Sequence, residues 1–135
     1  MLKRLFFGAV AAGFCLAAPA LSGPLTSGEN EIVTTIAAAS VLSAQCPSLQ
    51  IAAGPAFLYY SAQRGVDFEK ISAAVINVLL AAAKQPYDSS KIIPEVTVQT
   101  VDTVRTIYDA LQIDRSGQCK KMGDMLLEAG ILQRK

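Results

Sequence analysis

Cys46 and Cys119, 73 positions apart, place the tightest single constraint on the folds open to this chain. A crosslink between them would tie an early segment to one near the C-terminus, whatever lies between. Pairing requires an oxidising compartment, and the start of the chain bears on that. Lys3 and Arg4 form a short positive region. Leu5 to Ala18, LFFGAVAAGFCLAA, is uncharged, long enough for a secretory leader but short of the roughly 20 residues that span a bilayer. Ala18-Pro19-Ala20 then supplies the small residues that a signal peptidase reads. The pattern predicts a cleaved signal peptide over 1–20, with Ser22 as the alternative cleavage point. Leu21 to Asn30 is Ser/Gly/Pro/Thr-rich and nearly uncharged, unlike the charged flank of a retained anchor. Phe14 in front of Cys15 is too large for a lipidation site, so Cys15 leaves with the leader.

After cleavage Cys46 and Cys119 are the remaining thiols, and in a periplasmic or secreted protein they are read as one disulfide. It would close a loop of 74 residues. The chain-entropy model gives such a crosslink roughly 4.4 kcal/mol at 25 °C, a large share of the ~5–15 kcal/mol stability of a domain. Redox chemistry uses closely spaced pairs such as Cys-x-x-Cys, and these two are far apart. Lys120 and Lys121 follow Cys119 directly, but neighbouring helix residues do not face one another.

Losing Lys3 and Arg4 leaves 10 basic side chains against 11 acidic, a net charge of −1. That balance lacks the basic stripe of a nucleic-acid binder. The mature chain of roughly 115 residues suits one domain. Residues 21–28 read as a flexible lead-in and 29–135 as an all-α domain, a small bundle of about five helices.

The helices are read from apolar spacing and terminal signals. Thr26 with Glu29 fits a capping box, Ser27 being an equal N-cap, before a helix from Glu29 to about Gln45. It places Ile32, Ile36, Ala39, Ser43 and Cys46 on one face and stops at Pro47. SLQIAAGP reads as loop. Pro55 opens a second helix over Ala56 to about Arg64, with Gly65 at its left-handed end and Val66 folding back. Asp67 caps a third, Phe68 to about Lys84, apolar nearly all round and so expected at the centre of the core. After a turn at Asp88-Ser89-Ser90, the Val- and Thr-rich stretch 96–104 has strand composition but helical spacing. Val101, Val104, Tyr108 and Leu111 favour a helix from about Val96 to Gln112. The last begins at Asp114 or Ser116, sets Cys119, Met122, Leu126 and Ala129 on one face, and stops at Gly130.

The chain contains no histidine, which excludes Ser-His-Asp and Cys-His catalysis and ordinary zinc sites. It has neither a Gly-rich phosphate loop nor EF-hand spacing. Its carboxylates read as helix caps, dipole partners and solvated pairs, so the expectation is a protein without catalytic residues, cofactor or metal. Two features stand out as a contact surface. Tyr59 and Tyr60 point about 100° apart on a helix, so one should be exposed as an anchor while the other packs. Lys120 and Lys121 could meet an anionic surface, although Asp124 and Glu128 dilute them.

The expected function is therefore a binding or interaction module of a bacterial cell envelope, partnered by another envelope protein and not stably inserted in the membrane. The alternative is a periplasmic holdase. Small, helical, exported and singly crosslinked, the chain is similar in outline to the acid-activated periplasmic chaperones. It shares no motif with them, and its cysteines are more widely spaced.

Overall fold

The computed structural model describes residues 24–135. The leader and its cleavage point lie outside the described residues. The chain folds as α1 (Ser27–Gln45), β1 (Leu49–Ile51), α2 (Ala56–Ala62), α3 (Phe68–Ala82), a 3₁₀ turn (Ser89–Lys91), α4 (Pro94–Ile113), α5 (Arg115–Glu128) and β2 (Leu132–Arg134).

The helix termini follow local chemistry closely. Thr26 and Glu29 form the reciprocal capping box, with the Glu29 N–H donating to Thr26 Oγ1 at 3.1 Å and the Thr26 N–H to Glu29 Oε1 at 2.9 Å. Helix α1 thus starts at Ser27, inside the segment expected to be lead-in. Asp67 caps α3 and Asp114 caps α5, each accepting a backbone N–H three residues on. Pro94 occupies the first position of α4, where its missing N–H costs nothing. At the end of α2, Val66 N–H reaches Ser61 O and Gly65 N–H reaches Ala62 O, a Schellman closure. Its turn holds Gly65 at φ 67°, a conformation that a Cβ would oppose.

The spine of the fold is α1, which corrects the expectation that the helix after Asp67 would be central. Eight α1 residues are buried, and all but Thr35 belong to two apolar clusters. Ile32, Val33, Ile36 and Ala37 pack with Ile71, Ala74 and Val75 of α3 and with Ile93 and Val96 where α4 begins. Further along, Ala39, Val41, Leu42 and Cys46 pack with Leu49, Ile107, Leu111, Ile131 and Leu132. Ala37 and Ala39 are fully buried, and such small side chains let neighbouring elements approach from several sides. Helix α3, though more apolar, covers one flank and leaves Ile76 48% exposed.

The region 96–104 is helical, as its spacing predicts, but its buried face differs from the expected one. Val96, Thr100, Thr103, Ile107 and Leu111 point inward. Val101 is 41% exposed, and the exposed Tyr108 hydroxyl accepts a hydrogen bond from Gln45 Nε2. Threonine explains the rotation. Counted as polar, Thr100 and Thr103 vote against their own face, yet both pack there: the Thr103 hydroxyl accepts from Gln99 Nε2, and the Thr100 hydroxyl is buried without a partner among the described residues.

The five helices and the disulfide between the first and the last are as expected, and the one correction to the all-α reading is a two-stranded antiparallel ribbon. Leu49, Gln50 and Ile51 pair with Arg134, Gln133 and Leu132. SLQIAAGP, read as loop, contains β1. Three-residue strands are too short for any period to register. Ala52 N–H to Ile131 O and Lys135 N–H to Ser48 O extend the pairing at both ends. The ribbon returns the C-terminus to the end of α1, where the Cys46–Cys119 disulfide joins α1 to the first turns of α5, Cα atoms 5.8 Å apart. Gly123 is buried against Leu49, and a Cβ there would approach Leu49 Cδ1 to 2.7 Å.

The crosslink carries a direct prediction. Replacing both cysteines by serine, or adding reductant, should lower Tm by more than 10 °C, since a 74-residue loop is released in the unfolded state. Coincident melts of oxidised and reduced protein would refute this.

Candidate functional site

Helix directions define the site. Gln99 Nε2 donates to Thr34 Oγ1 at 3.1 Å, and Gln45 Nε2 donates to Tyr108 Oη at 3.1 Å. Residues rising along α1 therefore meet residues rising along α4, and the two helices run the same way. The disulfide starts α5 beside the end of α1, so α5 runs back against both. Between the three helices lies a groove of about 450 Å³.

Its walls differ in chemistry. The α1 and α4 side presents Thr34, Thr35, Gln99, Asp102, Thr103 and Thr106. The α5 side presents Met122, Met125, Leu126 and Ala129, continued by Ile131. Ala38, Leu42 and Ile107 form the apolar floor, and Tyr60 of α2 reaches one end. Met125 is 66% exposed on the lip, where its unbranched thioether can adapt to different contact shapes. The threonine and glutamine groups are held locally: Gln99 Nε2 also donates to Thr103 Oγ1, and the Thr35 hydroxyl donates to the Glu31 carbonyl at 2.7 Å.

Tyr60 is fixed by a three-residue cluster at the groove's edge. Its hydroxyl donates to Glu31 Oε2 at 2.6 Å, Arg64 Nε lies 2.9 Å from Glu31 Oε1, and the Arg64 guanidinium sits 3.7 Å from the ring centre. The Arg64 guanidinium first, and the Tyr60 hydroxyl second, hold the Glu31 carboxyl below its usual range. Burial first, then the Glu31 carboxylate, pushes the Tyr60 hydroxyl up.

The expected contact residues are divided by the fold. Tyr60 is half-buried in the cluster just described, whereas Tyr59 is 68% exposed on α2 beside the exposed Leu58. Lys120 lies elsewhere, in a depression beside the disulfide with Arg115 and Arg134. There Lys120 Nζ is 2.8 Å from Asp124 within α5, and Arg134 of β2 approaches the same carboxylate at 3.6 Å, so Asp124 ties α5 to β2. The Lys120 ammonium holds the Asp124 carboxyl below its usual range. Lys121 is exposed on α5 and lines neither the groove nor the depression. The groove itself escaped the sequence reading, because Thr34, Gln99 and Met125 belong to three helices and form no local motif.

Among the described residues there is no cluster of three His, Cys, Asp or Glu placed to hold a metal, and no helix long and apolar enough to cross a membrane. Compared with protein-family models, with characterised proteins and with solved structures, the chain matches none.

The Glu31 cluster generates a pH dependence with a defined sign. A carboxyl whose folded pKa is depressed adds stability at neutral pH, and loses it as pH falls through that folded value. The side chains of Glu31 and Arg64 are 47% and 28% exposed, so solvent screens much of the pairing. Glu31→Gln should therefore lower Tm by no more than a few degrees at pH 7, and the gap from wild type should close as pH falls below the usual carboxylate range. A gap that persisted or widened in acid would contradict the assignment.

Proposed function

We propose that this protein is a small exported binding module of a bacterial cell envelope. It works through the groove between α1, α4 and α5, by contact and not by catalysis. The observation that carries this reading is the groove itself, about 450 Å³ with one apolar wall, one hydrogen-bonding wall and a methionine on its lip. Ligand sites are typically concavities of ~300–1,000 Å³, mostly apolar, with a few convergent polar groups. The leader-like start of the chain, the disulfide and the near-neutral mature charge support export of a domain that meets other molecules through shape and apolar contact.

Titration with N-phenyl-1-naphthylamine tests the reading, because this dye brightens in apolar surroundings. Oxidised mature protein should bind one dye per chain, saturably. Ala38→Trp, which fills the floor, and Met125→Arg, which charges the lip, should each weaken binding at least tenfold with helical circular dichroism retained. Unsaturable brightening, or titrations that both variants leave unchanged, would overturn the proposal.

One observation favours a second reading as an acid-activated holdase. The Glu31–Tyr60–Arg64 cluster pins α2 over the start of α1, and protonating Glu31 weakens that attachment. On that reading the protein should lose tertiary packing near pH 2.5 and suppress aggregation of an unfolded client. A protein that stays folded at that pH and leaves the client aggregating would dispose of it.

A further inference from the structure

Of four concavities among the described residues, only one is lined by more positive than negative side chains. It is the depression of about 550 Å³ beside the disulfide, which shares no lining residue with the groove. Arg115, Lys120 and Arg134 face it, with Asp124 as the single carboxylate. The groove has Asp102 alone, the hollow beside Pro24 has Glu95 alone, and the hollow at the start of α3 sets Asp67 and Glu69 against Lys70 and Lys91. The fold puts the three cations in place. Arg115 opens α5, and its Nη1 donates to the Gln45 carbonyl oxygen at 3.1 Å and to Gln45 Oε1 at 3.2 Å. Both acceptors are neutral, so this guanidinium is pinned against the end of α1 with its charge uncompensated. Lys120 stands further along α5 and Arg134 comes from β2, and these two share Asp124 at 2.8 and 3.6 Å. Asp114, at the same end of α5, caps its own helix through the Gly117 N–H and does not line the depression.

Three positive side chains against one negative leave two charges uncompensated in a concavity that Ser48 and Ser116 supply with hydroxyls. We propose that this depression is a second binding site, separate from the groove, and that it takes a small molecule bearing a phosphate monoester. A monoester carries about −1.5 to −2 charge at pH 7 and three strong acceptor oxygens, which matches both the charge excess and the donor-rich lining. The guanidinium forks of Arg115 and Arg134 suit such oxygens in geometry as well as in charge. Lys120 and Arg134 are free to turn to the ligand, because their side chains are 78% and 64% exposed and exposed ion pairs hold weakly. A phosphodiester, with a single charge and two free oxygens, would leave half of the excess unmet. A cation would meet Arg115 with nothing to offset it.

The test is an NMR titration of oxidised mature protein at pH 7 and fixed ionic strength, with methyl phosphate and dimethyl phosphate as probes. Methyl phosphate should shift the backbone signals of Ser48, Ser116, Lys120 and Arg134 saturably, and dimethyl phosphate should bind about fivefold more weakly. Arg115→Gln and Lys120→Gln, each checked for retained melting, should weaken methyl phosphate binding by about fivefold, and Asp124→Asn should strengthen it. Lys121→Gln removes the same charge from α5 outside the depression, and should leave the affinity nearly unchanged. Equal binding of the two esters would overturn the assignment. So would a loss in Lys121→Gln as large as that in Lys120→Gln, since the attraction would then be the diffuse charge of the whole helix. Signals that move with phosphatidylglycerol vesicles but not with methyl phosphate would also overturn it, and make this face a membrane contact. The groove stands or falls separately, because its dye titration reports on residues that this site does not share.

Discussion

The disulfide between Cys46 and Cys119 is the constraint on which the arrangement around α5 depends. Helix α5 has little apolar burial of its own, Gly123 being its one fully buried residue. A helix of 14 residues with so small a buried face would be marginal if packing alone held it. Three other attachments supplement the crosslink. Leu49 nests against Gly123, the ribbon pairs β2 with β1, and Asp124 draws in Lys120 and Arg134. All four act near the end of α1 or on the C-terminal strand. They fix the face of α5 that carries Cys119, Gly123 and Asp124, while Met122, Met125 and Leu126 stay only partly covered by neighbours. The groove is the consequence: a wall fixed by its anchors and not packed shut by its own side chains.

The same logic accounts for the dominance of α1 over the more apolar α3. What makes a helix central is access from several directions, and small side chains provide it. Ala37 and Ala39 are fully buried and admit α3 and α4 on one stretch, then the ribbon on the next. Helix α3 carries larger aliphatic residues on more of its circumference, but only one face finds partners. Hydrophobic richness measures how much a helix could bury, whereas residue size along each face decides how closely others can come.

Much of the fold was legible because it rests on interactions a few residues long. The Thr26–Glu29 box, the Asp67 and Asp114 caps and Gly65 each act within one turn, so their signals survive in a linear reading. The pairing of Cys46 with Cys119 was legible for a different reason, since assigning Cys15 to the expected leader leaves a single intramolecular pairing to consider. The ribbon was not, because each strand is three residues long and its stability comes from a partner more than 80 positions away. The inward face of α4 was missed through the double character of threonine, whose methyl packs inward at Thr100 and Thr103 although its hydroxyl counts as polar.

The groove was the least legible feature, and the reason is general to sites made by helix packing. Its polar wall is ordinary threonine and glutamine on two helices, and its apolar wall is methionine and leucine on a third. Each residue reads locally as a solvated or core position. Only the parallel course of α1 and α4, with α5 returned by the disulfide, places hydroxyls along one wall of a trough and aliphatic carbon along the other. Tyr60 shows how much depends on that placement. Adjacent to the exposed Tyr59, it is held at the groove's edge by Glu31 and Arg64, and it differs from its neighbour in environment alone. The chemistry of this site thus resides in how far apart unlike groups are set, a quantity that folding creates and composition does not contain.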